Sequence, residues 1–156
     1  MKIYVASSWR NEYQQGVVLA LREAGFNDVY DFRNPEPGDT GFHWSEIDSN
    51  WKNWTTEEFE FALKHPIAEK GFSKDIEALN DSDVTVLVLP CGRSAHLELG
   101  YAVGSGQYTA VYNCGAPIEP ELMYKMCSKI FHSFSDMMLW LKNIETKVEI
   151  ERAVDL

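Results

Sequence analysis

Residues 83–107 read DVTVLVLPCGRSAHLELGYAVGSGQ. The first eight, DVTVLVLP, form an apolar run without helical spacing. Such continuity predicts a strand buried on both faces, as in a parallel sheet. The chain leaves that strand through Cys91, Gly92, Arg93 and Ser94. The next stretch, residues 94–106, predicts a helix whose packed face is Leu97, Leu99 and Val103, stopped by Gly104 and Gly106. Glu98 falls four residues after Ser94, so the two share one helix face.

The pattern repeats outward from this core. KIYVA (2–6) and DVYDF (28–32) predict strands on either side of a helix in residues 11–25, where Val17, Val18, Leu21 and Ala24 stand at helical spacing before Gly25. Residues 71–82 predict a short helix with Ser73 as N-cap and Ile76 and Leu79 facing inward. Residues 107–113 predict a fourth strand, 119–127 a helix, 129–134 a fifth strand and 135–154 a closing helix. Strands alternating with helices and joined by short turns imply a parallel sheet. The expected fold is a single-domain, three-layer α/β sandwich with five parallel strands, of Rossmann or flavodoxin type. Residues 33–51 break the alternation with two Pro, two Gly and several Asp and Asn. This loop is long, and with Phe42, Trp44, Trp51 and the nearby Trp54 it is too aromatic for disorder. A helix capped by Thr follows in residues 55–65 and is expected to end at Pro66.

Composition narrows the function. The chain has 156 residues and a formal net charge of −10, with 45% hydrophobic and 24% charged residues. A surface this acidic argues against a broad grip on a nucleic-acid polymer or an anionic membrane. It leaves open a small anion in a local pocket. No apolar run of about 18 residues spans a membrane. The first residues turn polar too soon for a signal peptide, so a cytoplasmic location is expected. Three cysteines, at 91, 114 and 127, are an odd number without metal-type spacing and read as reduced thiols. The four histidines lack ligand spacing, so no metal or other cofactor is expected. No G-x-S-x-G elbow is present, and the glycines at 100, 104 and 106 lie at the end of a helix instead of its start, which excludes a dinucleotide fingerprint.

Ligands of such folds sit beyond the carboxyl ends of the strands. There the topology gathers Ser7, Ser8, Trp9 and Arg10 after the first strand and Arg33 and Asn34 after the second. Gly92, Arg93, Ser94, His96 and Glu98 follow the third, and Asn113 the fourth. Glu98 reads either as a helix-dipole carboxylate paired with Arg93 or as a nucleophile or base in a partly desolvated cleft. The arginines are surface residues or fork-shaped partners for a phosphate at a helix start. The aromatic loop is core or a wall on which a planar base stacks.

Three stretches, KIYVASS (2–8), GFSKDIEALNDSDVTVLVL (71–89) and HLELGYAVGSGQYTAVY (96–112), resemble the nucleoside 2-deoxyribosyltransferase superfamily, which includes nucleoside 5′-monophosphate N-glycosidases. The resemblance runs in order over residues 1–113, with the E-x-G-x-A core at Glu98–Ala102 and the helix and strand aspartates at Asp75 and Asp83. It implies that Glu98 attacks C1′ of the sugar, that Asp75 assists at the base, and that Tyr4 lines the pocket. In the monophosphate-cleaving branch it implies that Ser94 holds the 5′-phosphate, with Arg93 and Arg10 as helpers. The transferases usually carry a Gly-rich turn before the glutamate, whereas this chain has the more cationic CGRSAH, which favours a phosphorylated ligand. The resemblance also implies a homo-oligomer, for which MMLW (137–140) is either an interface or ordinary core.

The expected function is therefore cleavage of an N-glycosidic bond in a nucleoside or nucleoside monophosphate, with transfer to water or to another base. An oxocarbenium-like centre at C1′ suits a carboxylate beneath it. Besides Tyr4, Arg10, Arg93 and Ser94, the expected substrate contacts are Ser7, Ser8, Arg33, Trp44 and Asn113. The alternatives are a TIR-like glycohydrolase of NAD, a nucleotide sensor without turnover, and an interaction module docking through the aromatic loop.

Overall fold

A computed structural model describes all residues, 1–156. The elements are β1 (Lys2–Ala6), α1 (Gln14–Glu23), β2 (Asp28–Asp31), α2 (Thr56–Ala62), α3 (Pro66–Asn80), β3 (Val84–Leu89), α4 (Arg93–Gly104), β4 (Tyr108–Asn113), β5 (Lys129–Phe131) and α5 (Phe134–Val154). The five strands form one sheet in the order β2-β1-β3-β4-β5, and every pairing is parallel. This order is the flavodoxin-like one, with its switch point between β1 and β3. The five-stranded parallel sheet and the α/β class are those expected from the sequence. No helix is long and apolar enough to cross a membrane.

The chain divides into two compact units, residues 1–31 with 79–156, and residues 32–78. The first contains the sheet. Alternate strand residues Ile3, Val5, Val84, Val86, Val88 and Ala110 join Val18 and Leu21 of α1 and Met137 and Leu141 of α5 in one core cluster. The intervening residues Tyr4, Thr85, Leu87 and Val111 face the other side and are equally buried. Buried threonines are satisfied: the Thr85 hydroxyl donates to Gln107 Oε1 at 2.8 Å, and Thr109 and Ser128 exchange backbone-to-hydroxyl bonds at 3.0 Å. At the amino edge, Arg152 near the end of α5 pairs with Asp83 at 3.0 Å, and Asp83 also accepts the Lys2 backbone N–H at 2.7 Å.

The second unit gives the aromatic loop a small core of its own. The Trp44 ring meets Phe42, Trp54 and Phe59 edge-on, with centroids 4.7, 5.7 and 5.8 Å away. Trp54 Nε1 donates to Asp48 at 2.7 Å. Lys74 of α3 ties the loop to the helix through ion pairs with Glu36 and Asp39.

Several expected boundaries shift. Helix α2 has the expected Thr55 cap, with a full capping box, but ends at Ala62. Pro66 opens α3 instead of stopping a helix, because a missing N–H costs nothing in a first turn. Ser73 therefore lies inside α3 and caps nothing. Residues 119–127 supply only a 3-10 turn, Leu122–Met126. β5 stops at Phe131, since the Ser133 hydroxyl accepts the Asp136 N–H and starts α5. On α4 the buried face is Ala95, Leu99 and Ala102, whereas Leu97 is 76% exposed. Residues 95, 99 and 102 follow the helical period, and Leu97 falls outside that stripe.

A methyl group on Gly71 would lie 2.9 Å from Phe42 Cβ and 3.1 Å from its ring. Gly→Ala inside a helix ordinarily stabilises by about 1 kcal/mol. Here Gly71→Ala is expected to destabilise by about 1–3 kcal/mol, the usual cost of overpacking. Urea denaturation checks this, and a raised midpoint would show that Phe42 yields freely.

Candidate active site

The first unit collects its polar groups where β1, β3 and β4 end. After β1, the buried Ser7 hydroxyl donates to the Val88 carbonyl at 2.8 Å. Asn11 Nδ2 donates to the same carbonyl at 3.1 Å and to Pro90 O at 2.9 Å. Its Oδ1 accepts the N–H groups of Tyr13 at 2.7 Å and Gln14 at 3.1 Å. Asn11 thus caps the entry to α1 and fastens the turn after β1 to the turn after β3. Sequence reasoning missed this role, although an asparagine just ahead of an apolar helical repeat is a capping signal.

Tyr4 stands in the middle of β1, opposite Tyr30 on one side and Thr85 on the other. It is fully buried, and its ring stacks on Tyr30 with centroids 5.2 Å apart at 21°. A buried phenol needs a hydrogen-bond partner. Its O–H donates to Glu98 Oε1 at 3.1 Å. Glu98 sits in the second turn of α4 and is half-buried. The structure thus joins two of the residues singled out by sequence.

Arg93 and Ser94 form the first turn of α4, and both are exposed. The N-cap is Gly92, which has no side chain to satisfy the N–H groups of that turn. Arg10 is exposed in the turn after β1, and the Ser8 carbonyl accepts the Asn11 N–H at 3.0 Å. Asn113 ends β4 opposite Leu89. Its Nδ2 donates to Ala116 O at 3.0 Å, while its buried Oδ1 has no hydrogen-bond partner. Arg33, Trp44 and Asp75 belong to the second unit. There the Arg33 guanidinium lies 5.9 Å from the Phe32 ring, Trp44 is the aromatic hub, and Asp75 is a half-buried residue of α3.

Two further groups adjoin α4. Burial, reinforced by the Glu98 charge, pushes the Cys91 thiol up to about 12. Burial first, and then Cys91 and neighbouring acids, pushes the Tyr124 phenol up to about 12. Both therefore keep their protons at neutral pH, and Cys91 is no thiolate nucleophile there. All three cysteines are free thiols.

No family model and no curated protein matches the sequence itself. Solved structures do match by fold. A 2-deoxyribosyltransferase from the psychrotolerant bacterium Bacillus psychrosaccharolyticus is 20% identical, with a TM-score of 0.58 over 88% of this chain and 90% of that one. A conserved protein from Enterococcus faecalis is 15% identical, with a TM-score of 0.55 over 94% of this chain and 98% of that one. A CMP N-glycosidase from Clostridium botulinum, BcmB, is 13% identical, with a TM-score of 0.48 over 91% and 99%. The first two share this fold.

The raised thiol and phenol have a consequence for stability. The folded state holds their protons to higher pH than the unfolded chain, whose groups titrate near 9.0 and 10.0. Between these values and about 12 the native state binds more protons, so stability is fully present below pH 9 and falls as pH rises towards 12. Burial moves Cys114 and Cys127 in the same direction. The urea midpoint is expected to drop steadily above pH 9, and Cys91→Ser should make that drop shallower. A flat profile to pH 11 would contradict the burial of these groups.

Proposed function

We propose that this protein cleaves the N-glycosidic bond of a nucleoside or nucleoside 5′-monophosphate through a glycosyl-enzyme on Glu98. The observation that carries the reading is the buried Tyr4 phenol donating to Glu98 Oε1 beside the strand-to-helix turn at the switch-point edge. The bond anchors the carboxylate through Oε1, and Glu98 is proposed to approach C1′ from that position. As the C1′–N bond breaks, the base leaves with the bonding electron pair and takes a proton. Glu98 bonds to C1′ and quenches the oxocarbenium charge. Water or a second base then attacks C1′, and the carboxylate leaves. The Tyr4 hydrogen bond favours that second step by stabilising the departing anion.

The turn before Glu98 suits an anion. The open N–H groups of Arg93 and Ser94 and the Arg93 guanidinium are proposed to hold a 5′-phosphate, with Arg10 assisting. The orphaned Asn113 Oδ1 is proposed to accept a substrate hydroxyl or amine. Ser7, whose hydroxyl is held by the Val88 carbonyl, and Ser8 are proposed to border the substrate at this edge. Asp75 is proposed to protonate or orient the leaving base, and Arg33 and Trp44 to contact the substrate. A 2-deoxyribosyltransferase is built on this fold, so the fold accommodates the proposed chemistry, and the reading itself rests on the site.

The test is free base released from a panel of nucleosides, nucleoside 5′-monophosphates and NAD. Base release from a nucleoside or its monophosphate is expected, and Glu98→Gln should lower it at least about a thousandfold, or roughly 4 kcal/mol of barrier. Tyr4→Phe should cost about tenfold, as expected for one hydrogen bond to a charged group. Release of nicotinamide alone would replace this reading with that of an NAD glycohydrolase. A folded wild type silent across the panel would refute turnover of these substrates.

A further inference from the structure

Cys91, His96 and Tyr124 form a cluster that the chemistry above does not use. His96 is the fourth residue of α4, and Tyr124 lies in the connection between β4 and β5. Tyr124 is buried, although its neighbours Leu122, Met123 and Met126 are all more than half exposed. What holds this short turn down is the Tyr124 side chain. Its hydroxyl is 2.8 Å from His96 Nε2, and the two rings stack with centroids 5.8 Å apart at 10°. The other ring nitrogen, Nδ1, is 2.8 Å from the Gly92 carbonyl, with Cys91 Sγ at 3.7 Å.

The geometry dictates where the protons lie. A backbone carbonyl only accepts, so Nδ1 must carry a hydrogen. The Tyr124 phenol keeps its own proton and donates it to Nε2. Neutral imidazole is thereby satisfied at both nitrogens. A doubly protonated ring would have to turn the phenol O–H away from its partner. The chain of bonds runs from the β4–β5 connection, through His96, to the carbonyl of the N-cap. That N-cap is a glycine, the residue with the largest backbone freedom. Asn11 already holds the Pro90 carbonyl on the near side of the turn, and His96 holds the Gly92 carbonyl on the far side. The segment between them leads directly into Arg93 and Ser94.

We propose that His96 is a positioning residue for the anionic part of the substrate. Through Tyr124 and Gly92 it locks the turn whose N–H groups and Arg93 would receive a phosphoryl group. This inference rests on the functional reading above and adds to it a basis for preferring phosphorylated substrates.

Two measurements test it. Nitrogen-15 spectra of the wild-type imidazole at neutral pH should show the Nδ1–H tautomer of His96. An Nε2–H tautomer or a doubly protonated ring would overturn the lock. Kinetics of Tyr124→Phe and His96→Gln should show KM for the nucleoside 5′-monophosphate rising about tenfold, the size of one lost hydrogen bond. Its kcat, and KM for the unphosphorylated nucleoside, should stay near wild-type values. Equal losses on both substrates, or no loss on either, would reduce the pair to ordinary packing and overturn the proposal. If wild type releases no base at all, the functional reading and the phosphate role fall together, and the lock is judged by spectra alone. In that case Tyr124→Phe should move the amide resonances of Gly92, Arg93 and Ser94, and unmoved resonances, like an unfolded variant beside a wrong wild-type tautomer, would reject it.

Discussion

Val84 to Val88 have no solvent exposure at all. Covered on both faces and paired on both edges, this central strand has no room for a polar side chain that lacks an internal partner. Thr85 has one in Gln107. Every other polar group must wait until the strand ends. That constraint gathers the chemistry at one edge, because the parallel register brings β1 and β4 to an end beside β3. The Val88 carbonyl is the meeting point. It is held by Ser7 and Asn11 together, so the turn after β1 and the turn after β3 are fixed to each other before any ligand arrives.

The same constraint separates two carboxylates that look alike in sequence. Asp31 closes β2 and is almost fully buried. Its oxygens accept the side-chain amides of Gln14 at 3.0 Å and Gln15 at 2.9 Å, which belong to α1. Such a carboxylate joins strand to helix and is shielded from any incoming atom. Glu98 is only half-buried, and its Oε1 accepts the Tyr4 phenol. A nucleophile needs such partial burial, desolvated enough to react yet not sealed in the core. Burial, more than residue type, sets Glu98, the proposed nucleophile, apart from Asp31.

The sheet was legible because its strands are continuous apolar runs and its turns are short. Glu98 stood out because a charge so soon after such a run has few structural uses, and the structure sets it against Tyr4. What escaped the sequence were partnerships set by tertiary packing. Nothing local says that Pro66 begins a helix, because proline is compatible with both a stop and a first turn. Nothing local places Leu97 in solvent while Ala95 and Ala102 are buried, since helix rotation is chosen by the sheet and not by hydrophobicity alone. Tyr124 escaped for a similar reason. It sits in a segment read as helix, and its role depends on a ring 28 positions away in sequence. The aromatic loop left two readings open, core or base platform. Trp44 proves to be packed edge-on against three rings, so it serves as core of the second unit whatever else it contacts.

An acidic chain with a turn proposed to bind an anion looks contradictory until distance is considered. The net charge is −10, but part of that charge sits at the amino edge of the sheet, where Asp28, Asp81 and Asp83 surround Lys2 and Arg152. β3 has six residues between that edge and the turn at Gly92, which at about 3.3 Å per residue is a separation of roughly 17–20 Å. The Debye length at physiological salt is about 8 Å. Exposed charges at one edge are therefore largely screened from a ligand at the other. What an anion would meet at the carboxyl edge is local: the N–H groups of the first turn of α4, the Arg93 guanidinium and, one turn further along the helix, Glu98. A substrate that placed its phosphate on the helix start and its sugar carbon over Glu98 would keep its two charge demands apart, negative at the turn and positive at C1′. The rise of 1.5 Å per residue along α4 sets that spacing at about 6 Å between the level of Ser94 and that of Glu98, close to the span of a pentose 5-phosphate from C1′ to its phosphorus.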